Sequence, residues 1–474
     1  MKAVVVIAAG FAILLVLPVA LRPHSSRNDG RTLVIITPHN EAIRYEFERA
    51  FDASHFAKTG EHVRIDWRTP GGASEIARYL ASEYAGAFEN YWRNSLGKAW
   101  GSVVQASFDN GRIDPATESD PIRREARARF LASNVSCGVD LLFGGGSFDF
   151  ISNARAGRLV DSGFIRAHPE LFNDQAIPQN FGGEPFWDAN GRWVGVCLGA
   201  FGICSNQDAL ALLKIDPPRD WSDLADPRFF GNIALADPTQ SGAAAKAFEM
   251  IIQQQMRSAA SPAEGWVRAF QMIQRIAANA RYFTDSGTKV PLDVGAGDAA
   301  AGMCIDFYGR FESEALRRAD QSSRLVYLTP AGGSSLGADP IGLLRGAPHP
   351  DLARDFIEFA LSPEGQKLWT LKAGSPGGPV KFALRRLAVR PELYASEFAP
   401  FRSDPEIQPY AHRDEFSYRP EWTGALFTTL SFVIRAAFIE PHEELQTAWR
   451  ALATADFPVQ PMATFSNMSA VDYA

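Results

Sequence analysis

The sequence predicts an α/β protein of two lobes, with a long buried strand crossing from one to the other. Three observations predict it. The chain has 474 residues, more than one core comfortably holds, so two bodies are the natural division. Strand-like runs are repeatedly followed by a polar loop and an amphipathic helical pattern, the mark of parallel βα units. The run "VGVCLGAFGIC" from Val194 to Cys204 is apolar and carries glycines, which suits a long buried strand passing between lobes.

The elements follow in order. "TLVIITPHNEAIRYEFERAFDA" gives a strand, a Thr-Pro-His-Asn turn and apolar positions Ile43, Phe47, Ala50 and Phe51 at helical spacing. "VRIDWRTPGGASEIARYLASEY" repeats the scheme, with strand Val63 to Trp67, a loop through Gly72 and Ser74, and a helix carrying Ile76, Leu80 and Tyr84. Residues 86–135 mix aromatic and charged groups in helical groupings and read as an insertion. "GVDLLFGGGSFDF" resumes the βα pattern before the crossing strand. Beyond it, "WSDLADPRFFGNIALADPTQSGAAAKAF" is a helix-strand-loop-helix unit and 263–280 is helical. "GMCIDFYGRF" reads as a strand, which would put Asp306 and Tyr308 on one face. "RLVYLTPAGGSSLGADPIGLLRG" bends at glycines and returns the chain to the first lobe, with helical stretches after it. The expected division is 1–30 leader, 31–200 first part of lobe one, 201–327 lobe two, and 328–474 the return to lobe one with C-terminal helices.

Composition removes several classes. A net charge of −7 disfavours nucleic acid or acidic lipid as partner. Lys2 precedes an uncharged apolar run from Ala3 to Leu21, the pattern of an export signal that is cleaved or kept as an anchor. No later stretch reads as long and apolar enough to span a bilayer. Cys137, Cys197, Cys204 and Cys304 lack zinc-site spacing and suit either disulfides or buried thiols.

Each chemical motif has a plain alternative. "LADPTQSGAAAKAFEMI", residues 235–251, sets Thr239 and Ser241 at a strand-to-helix corner, where N–H groups favour an anion or where a hydroxyl simply caps the helix. It lacks P-loop spacing. Gly333–Gly337 matches G-x-S-x-G, with His349, His412 and His442 downstream, but strand-like sequence follows Ser335 where a hydrolase elbow needs a helix. The glycines of "VGAGDAA", 294–300, precede a strand and read as a helix-to-strand turn. His39 lies in the loop after the first strand, where an open α/β fold binds its ligand.

Taken in order, "TPHNE", "TPGGASEIARYL", "GVDLLFGGGSFDF", "GRLVDSGF", "VGVCLGAFGICSN", "DWSDLADPRFFGNIALADPTQSGAAAKAF", "VGAGDAAAGMCIDF" and "PHPDLARDFIEFALSPEGQKLW" resemble a periplasmic solute-binding protein of a bacterial ABC importer, of the extracellular family that includes the ferric-ion-binding proteins. The resemblance implies a type II periplasmic-binding-protein fold, hinge closure on a ligand, a monomer that docks on a membrane permease, and no covalent chemistry. It places His39, Gly72, Ser74 and Ser147 of the first lobe and Thr239, Ser241, Asp306 and Tyr308 of the second at the cleft. The ferric branch uses an adjacent tyrosine pair, here Phe307-Tyr308. Three ligands follow: Fe(III) or a ferric chelate held by His39, Asp306, Tyr308 and a synergistic anion; a small phosphorylated or carboxylated solute; or a polyamine. A secreted serine hydrolase using Ser335 is the reading from another class.

Overall fold

A computed structural model describes residues 30–412 and 416–473; the leader lies outside the described residues. In chain order the principal strands are β1 Arg31–Ile36, β2 Val63–Arg68, β3 Leu141–Phe143, β4 Val194–Gly199, β5 Phe201–Asn206, β6 Ile233–Ala236, β7 Ala280–Thr284, β8 Ala301–Ile305, β9 Leu325–Leu328, β10 Gly337–Leu344 and β11 Leu387–Ala388. They form two sheets, one per lobe. The first runs β11–β4–β10–β3–β1–β2, with the short strand Leu159–Val160 paired beside β10; the second runs β7–β6–β8–β5–β9. Strands β1, β2 and β3 are parallel, as are β6, β7 and β8, so each βα loop opens at the carboxyl end of its sheet.

Two crossings join the lobes beneath the cleft, and the chain crosses a third time after Ala388 to reach its C-terminal helices. Strand β4 ends at Gly199 and β5 begins at Phe201, leaving Ala200 alone between them; the second crossing is the segment 329–336 between β9 and β10. Phe201 N–H donates to Ser334 Oγ at 2.9 Å, which ties the two crossings together.

The helices that position the cleft are α1 Glu41–Thr59, α2 Ala73–Asn90, α3 Ser147–Ala156, α4 Gly242–Ser258, α5 Pro262–Asn279, α6 Asp306–Ala315, α7 Pro350–Leu361 and α8 Pro363–Thr370. Helix α1 shows why these segments are helical. Asn40 Oδ1 accepts from Ile43 N–H at 3.1 Å, Gly60 ends the helix at φ 77°, and Ile43, Phe47 and Phe51 recur on its buried face. Phe47 meets Trp369 at 4.4 Å and Phe51 meets Phe356 at 5.0 Å, so α1 is clamped by α7 and α8. Between α2 and α3 the chain adds a π-helical turn, a short helix and helix Pro121–Ala132. Their Trp92, Phe108 and Phe130 bury against Phe88 of α2.

Two expectations are corrected here. The glycine-rich bend and β10 do return the chain to the first sheet, but residues 420–473 do not stay there. The helical run α9, Pro420–Ile439, and helix α10, His442–Thr454, pack on α4 and α5 of the second lobe. Leu430, Ile434, Phe438, Trp449 and Leu452 are buried there, and Trp449 Nε1–H donates to Asn279 Oδ1 at 2.8 Å. Helix α9 is also long and apolar enough to cross a membrane by length and composition. Its Leu430, Ile434 and Phe438 face lobe two, whereas its Phe432 is exposed.

The chain enters this C-terminal arm through a buried polar knot. Tyr418 N–H donates to the Gly182 carbonyl at 2.7 Å. Tyr418 Oη–H donates to Glu249 Oε1 at 2.8 Å. Lys246 Nζ stands 2.8 Å from both Glu184 and Glu249 and 3.8 Å from the centre of the Tyr418 ring. Glu184 hangs from the first lobe, beside β4, whereas Lys246 and Glu249 belong to α4 of the second. Burial alone would lower the Lys246 ammonium, but the two carboxylates outweigh it and hold it above the ordinary lysine range.

Candidate functional site

Three long helices point their N-termini at one junction. Helix α2 begins after the Thr-Pro-Gly-Gly loop, with Gly72 N–H donating to Glu75 Oε2 at 3.0 Å. Helix α3 begins after Gly144-Gly145-Gly146, and helix α4 after the Asp237–Ser241 corner. A methyl group at Gly242 would lie 3.6 Å from the Ala73 methyl, one at Gly145 would lie 3.7 Å from it, and one at Gly72 would lie 3.3 Å from the Gln240 carbonyl oxygen. The jaws of both lobes therefore touch, tightly at Gly72 and at ordinary van der Waals distance at Gly242, while Gly145 is held to glycine by its φ of +114°. Unpaired N–H groups and aligned peptide dipoles at these ends favour negative charge.

The expected site residues divide according to what holds them. Gly72 and Ser74 lie at the start of α2 and Ser147 at the start of α3, and the two serine hydroxyls make no hydrogen bond among the described residues. Ser241 Oγ is spent on capping α4, accepting from Ala244 N–H at 3.2 Å. Thr239 donates its hydroxyl proton to Asp237 Oδ1 at 2.7 Å.

His39 is buried, and neither of its ring nitrogens has a hydrogen-bond partner among the described residues. Phe143 meets the ring edge-on at 4.6 Å and Trp369 lies 5.7 Å away. Burial holds its imidazolium below the ordinary histidine range. Next to it comes a pair that sequence reasoning missed. Asp339 Oδ2 is 3.8 Å from His39 Nε2 and is ion-paired with the buried Arg386, whose guanidinium carbon stands 4.2 Å from the centre of the Phe307 ring. The register explains the meeting: Asp339 of β10 and Ala388 of β11 both pair with Cys197 of β4, which brings Asp339 near Arg386, two residues before Ala388. The available signal was an acid in the apolar run "GADPIGLL" and two arginines in "FALRRLAV".

Asp149, in the first turn of α3, adds a pH-dependent term. Burial pushes its carboxyl up to about 6, with Asp339 adding to the shift and Gly146 N–H opposing it. The folded protein thus binds this proton more tightly than the unfolded chain. Stability from this group is complete below pH 4 and is lost as pH rises towards 6, by about 3 kcal/mol. Urea unfolding of wild type and Asp149→Asn across pH 4–7 is expected to show that decline in the wild type and its absence in the variant.

The second-lobe expectation of a shared Asp306–Tyr308 surface is corrected. The strand stops at Ile305 and helix α6 starts at Asp306, so the two side chains project about 200° apart around a helix instead of on one face of a strand. Asp306 Oδ1 accepts from Phe307 N–H and Oδ2 from Arg310, both at 2.7 Å. Burial pushes the Tyr308 phenol up to about 12, which keeps it a proton donor.

Ser335 is buried in the second crossing and donates to Glu184 Oε1 at 2.6 Å; β10 follows at Gly337. It therefore has the wrong element after it for a nucleophile elbow. His349 takes Asp140 and His442 takes the Ala277 carbonyl; the side chain of His412 lies outside the described residues. Gly297 closes helix Lys289–Ala296 at φ 94° before β8, the turn its sequence implies. A cavity of about 560 Å³ opens behind the hinge, where Arg310 pairs with Asp306, Arg385 with Asp404 and Arg317 with Glu314.

Two α/β lobes, short crossings beneath the cleft and facing helix N-termini define the class of two-lobed, hinge-closing binding proteins. The chain belongs to the bacterial extracellular solute-binding protein family, whose model matches residues 145–381. It is 26% identical over 266 residues to the phosphoglycerate transport regulatory protein PgtC of Salmonella typhimurium, a match covering 56% of this chain and 58% of that one. The chain thus spans about three fifths of the length of the curated relatives it matches. Among solved structures, the periplasmic binding protein AfuA from Actinobacillus pleuropneumoniae, with fructose-6-phosphate bound, has a TM-score of 0.53 and 18% identity, over 89% of this chain and 97% of its own. Iron-bound HitA from Pseudomonas aeruginosa has a TM-score of 0.50 and 16% identity, over 85% and 99%. At these identities the two structures share the fold.

Proposed function

We propose that the chain is the periplasmic solute-binding component of an ABC importer and that its solute is a small organic anion bearing a phosphate or carboxylate. The observation that carries this is the convergence of three helix N-termini, from both lobes, on one glycine-lined junction. A ligand touching both lobes binds the closed form better than the open one, and closure then signals occupancy to the permease. Buried Arg386 and unpartnered His39 supply a cation and a polar group at the cleft floor. The relative named for phosphoglycerate transport and the neighbour that binds a sugar phosphate support the same chemistry.

The ferric reading finds less support. Its carboxylate, Asp306, already satisfies Arg310 and the start of α6.

Calorimetric titration of the purified chain with 3-phosphoglycerate, fructose 6-phosphate, citrate and ferric citrate tests the proposal. Saturable binding of a phosphate- or carboxylate-bearing solute, with compaction in small-angle scattering, is the expected result. Binding of ferric ion alone, with no affinity for the anions, would overturn it.

A further inference from the structure

The C-terminal arm reaches both lips of the cleft. At the lobe-one lip, the ring of Phe427 lies 4.7 Å from that of Phe148, the second residue of α3. Eight residues along α9, about 12 Å at helical rise, Arg435 reaches the lobe-two lip. Its Nη1 donates to Asp237 Oδ2 at 2.7 Å and to Thr239 Oγ1 at 3.1 Å. The family match ends at residue 381, before the arm begins.

Resting on the reading of an anionic solute, we propose that Arg435 is a positioning residue of the solute site, lent to it by the arm. Asp237 sets the corner that opens α4: its Oδ1 takes the N–H and the hydroxyl of Thr239. A carboxylate is thereby fixed beside the helix end that must receive an anion, and it is buried apart from its contact with the arm. Unopposed, its charge would repel the solute. Arg435 cancels that charge on Oδ2 and donates an N–H to the Thr239 hydroxyl oxygen, so the corner is left rigid and electrostatically favourable to a negative group. The same arm ties the lobes together through Phe427 and Phe148, a contact that opening of the cleft must part.

The test is fluorescence titration of the full chain with 3-phosphoglycerate and with inorganic phosphate, at low and high salt. Arg435→Gln is expected to weaken binding about tenfold at low salt, with a smaller gap at high salt. Arg435→Lys is expected to restore most of the loss. Asp237→Asn placed in the Arg435→Gln background is also expected to restore affinity, because the uncancelled charge is gone; a purely structural role for Arg435 would not produce this rescue. Equal affinity of wild type and Arg435→Gln overturns the inference, as does a loss that neither second change repairs. A wild type that binds neither probe, nor any solute in the calorimetric series, overturns the anionic-solute reading itself, and the inference with it.

Discussion

Lys246→Met is expected to destabilise the protein by about 3–5 kcal/mol, the range for removing one partner from a buried ion pair. Lys246 is the only cation within salt-bridge distance of Glu184 and Glu249 among the described residues. Both carboxylates are almost fully buried. Methionine keeps most of the side-chain volume, so the loss reports on charge and not on a cavity. Ser335, Tyr418 and Thr423 still donate to these carboxylates, but hydroxyl donors do not neutralise them. Adding Glu184→Gln and Glu249→Gln to the same chain is expected to recover a large part of the loss, because no uncompensated charge then remains inside. Urea unfolding of the single and triple variants measures both quantities. Equal stability of wild type and Lys246→Met would show that the knot contributes nothing.

Arg386→Gln carries the second large effect, on solute affinity. Its guanidinium is pressed between Phe307 and Trp369 and faces Asp339. Burial opposes its charge, and Asp339 outweighs that opposition. Loss of the cation leaves Asp339 beside the incoming anion, so affinity for a phosphate-bearing solute is expected to fall by about a hundredfold, near 3 kcal/mol. Asp339→Asn in the same background removes the repulsion but not the missing cation, and is expected to recover only part of the affinity. Calorimetric titration separates the two contributions. Undiminished affinity in Arg386→Gln would remove Arg386 from the site.

The two lobes were legible because βα units declare themselves locally. Thr-Pro-His-Asn before α1, Ser241 before α4 and Gly297 after its helix are all punctuation that a few neighbouring residues determine. The strand-to-helix change at Asp306 was not legible. "CIDFYG" has strand composition, and what turns it is an Asp306 carboxylate that caps Phe307 N–H and pairs with Arg310 four residues on. Arg310 in turn donates to the carbonyl of Arg385, 75 residues away. The Asp339–Arg386 pair was hidden for the same reason: strand register creates it, and periodicity carries no record of register between distant strands. The course of the arm was hidden too, since an amphipathic helix declares a buried face but not the lobe that buries it.

The hinge has a consequence for selection among solutes. One residue, Ala200, separates β4 from β5, its carbonyl accepts from Asp306 N–H at 2.9 Å, and Phe201 is bonded to Ser334 of the neighbouring crossing. These two links are bonded to each other, and a third passage of the chain after Ala388 carries it to the arm, whose Phe427 touches Phe148 of the first lobe. On the proposed reading of a closing cleft, the turning would be concentrated at Ala200 and in 329–336, and a solute too thick for the gap would be rejected by failure to close and not by a missing contact.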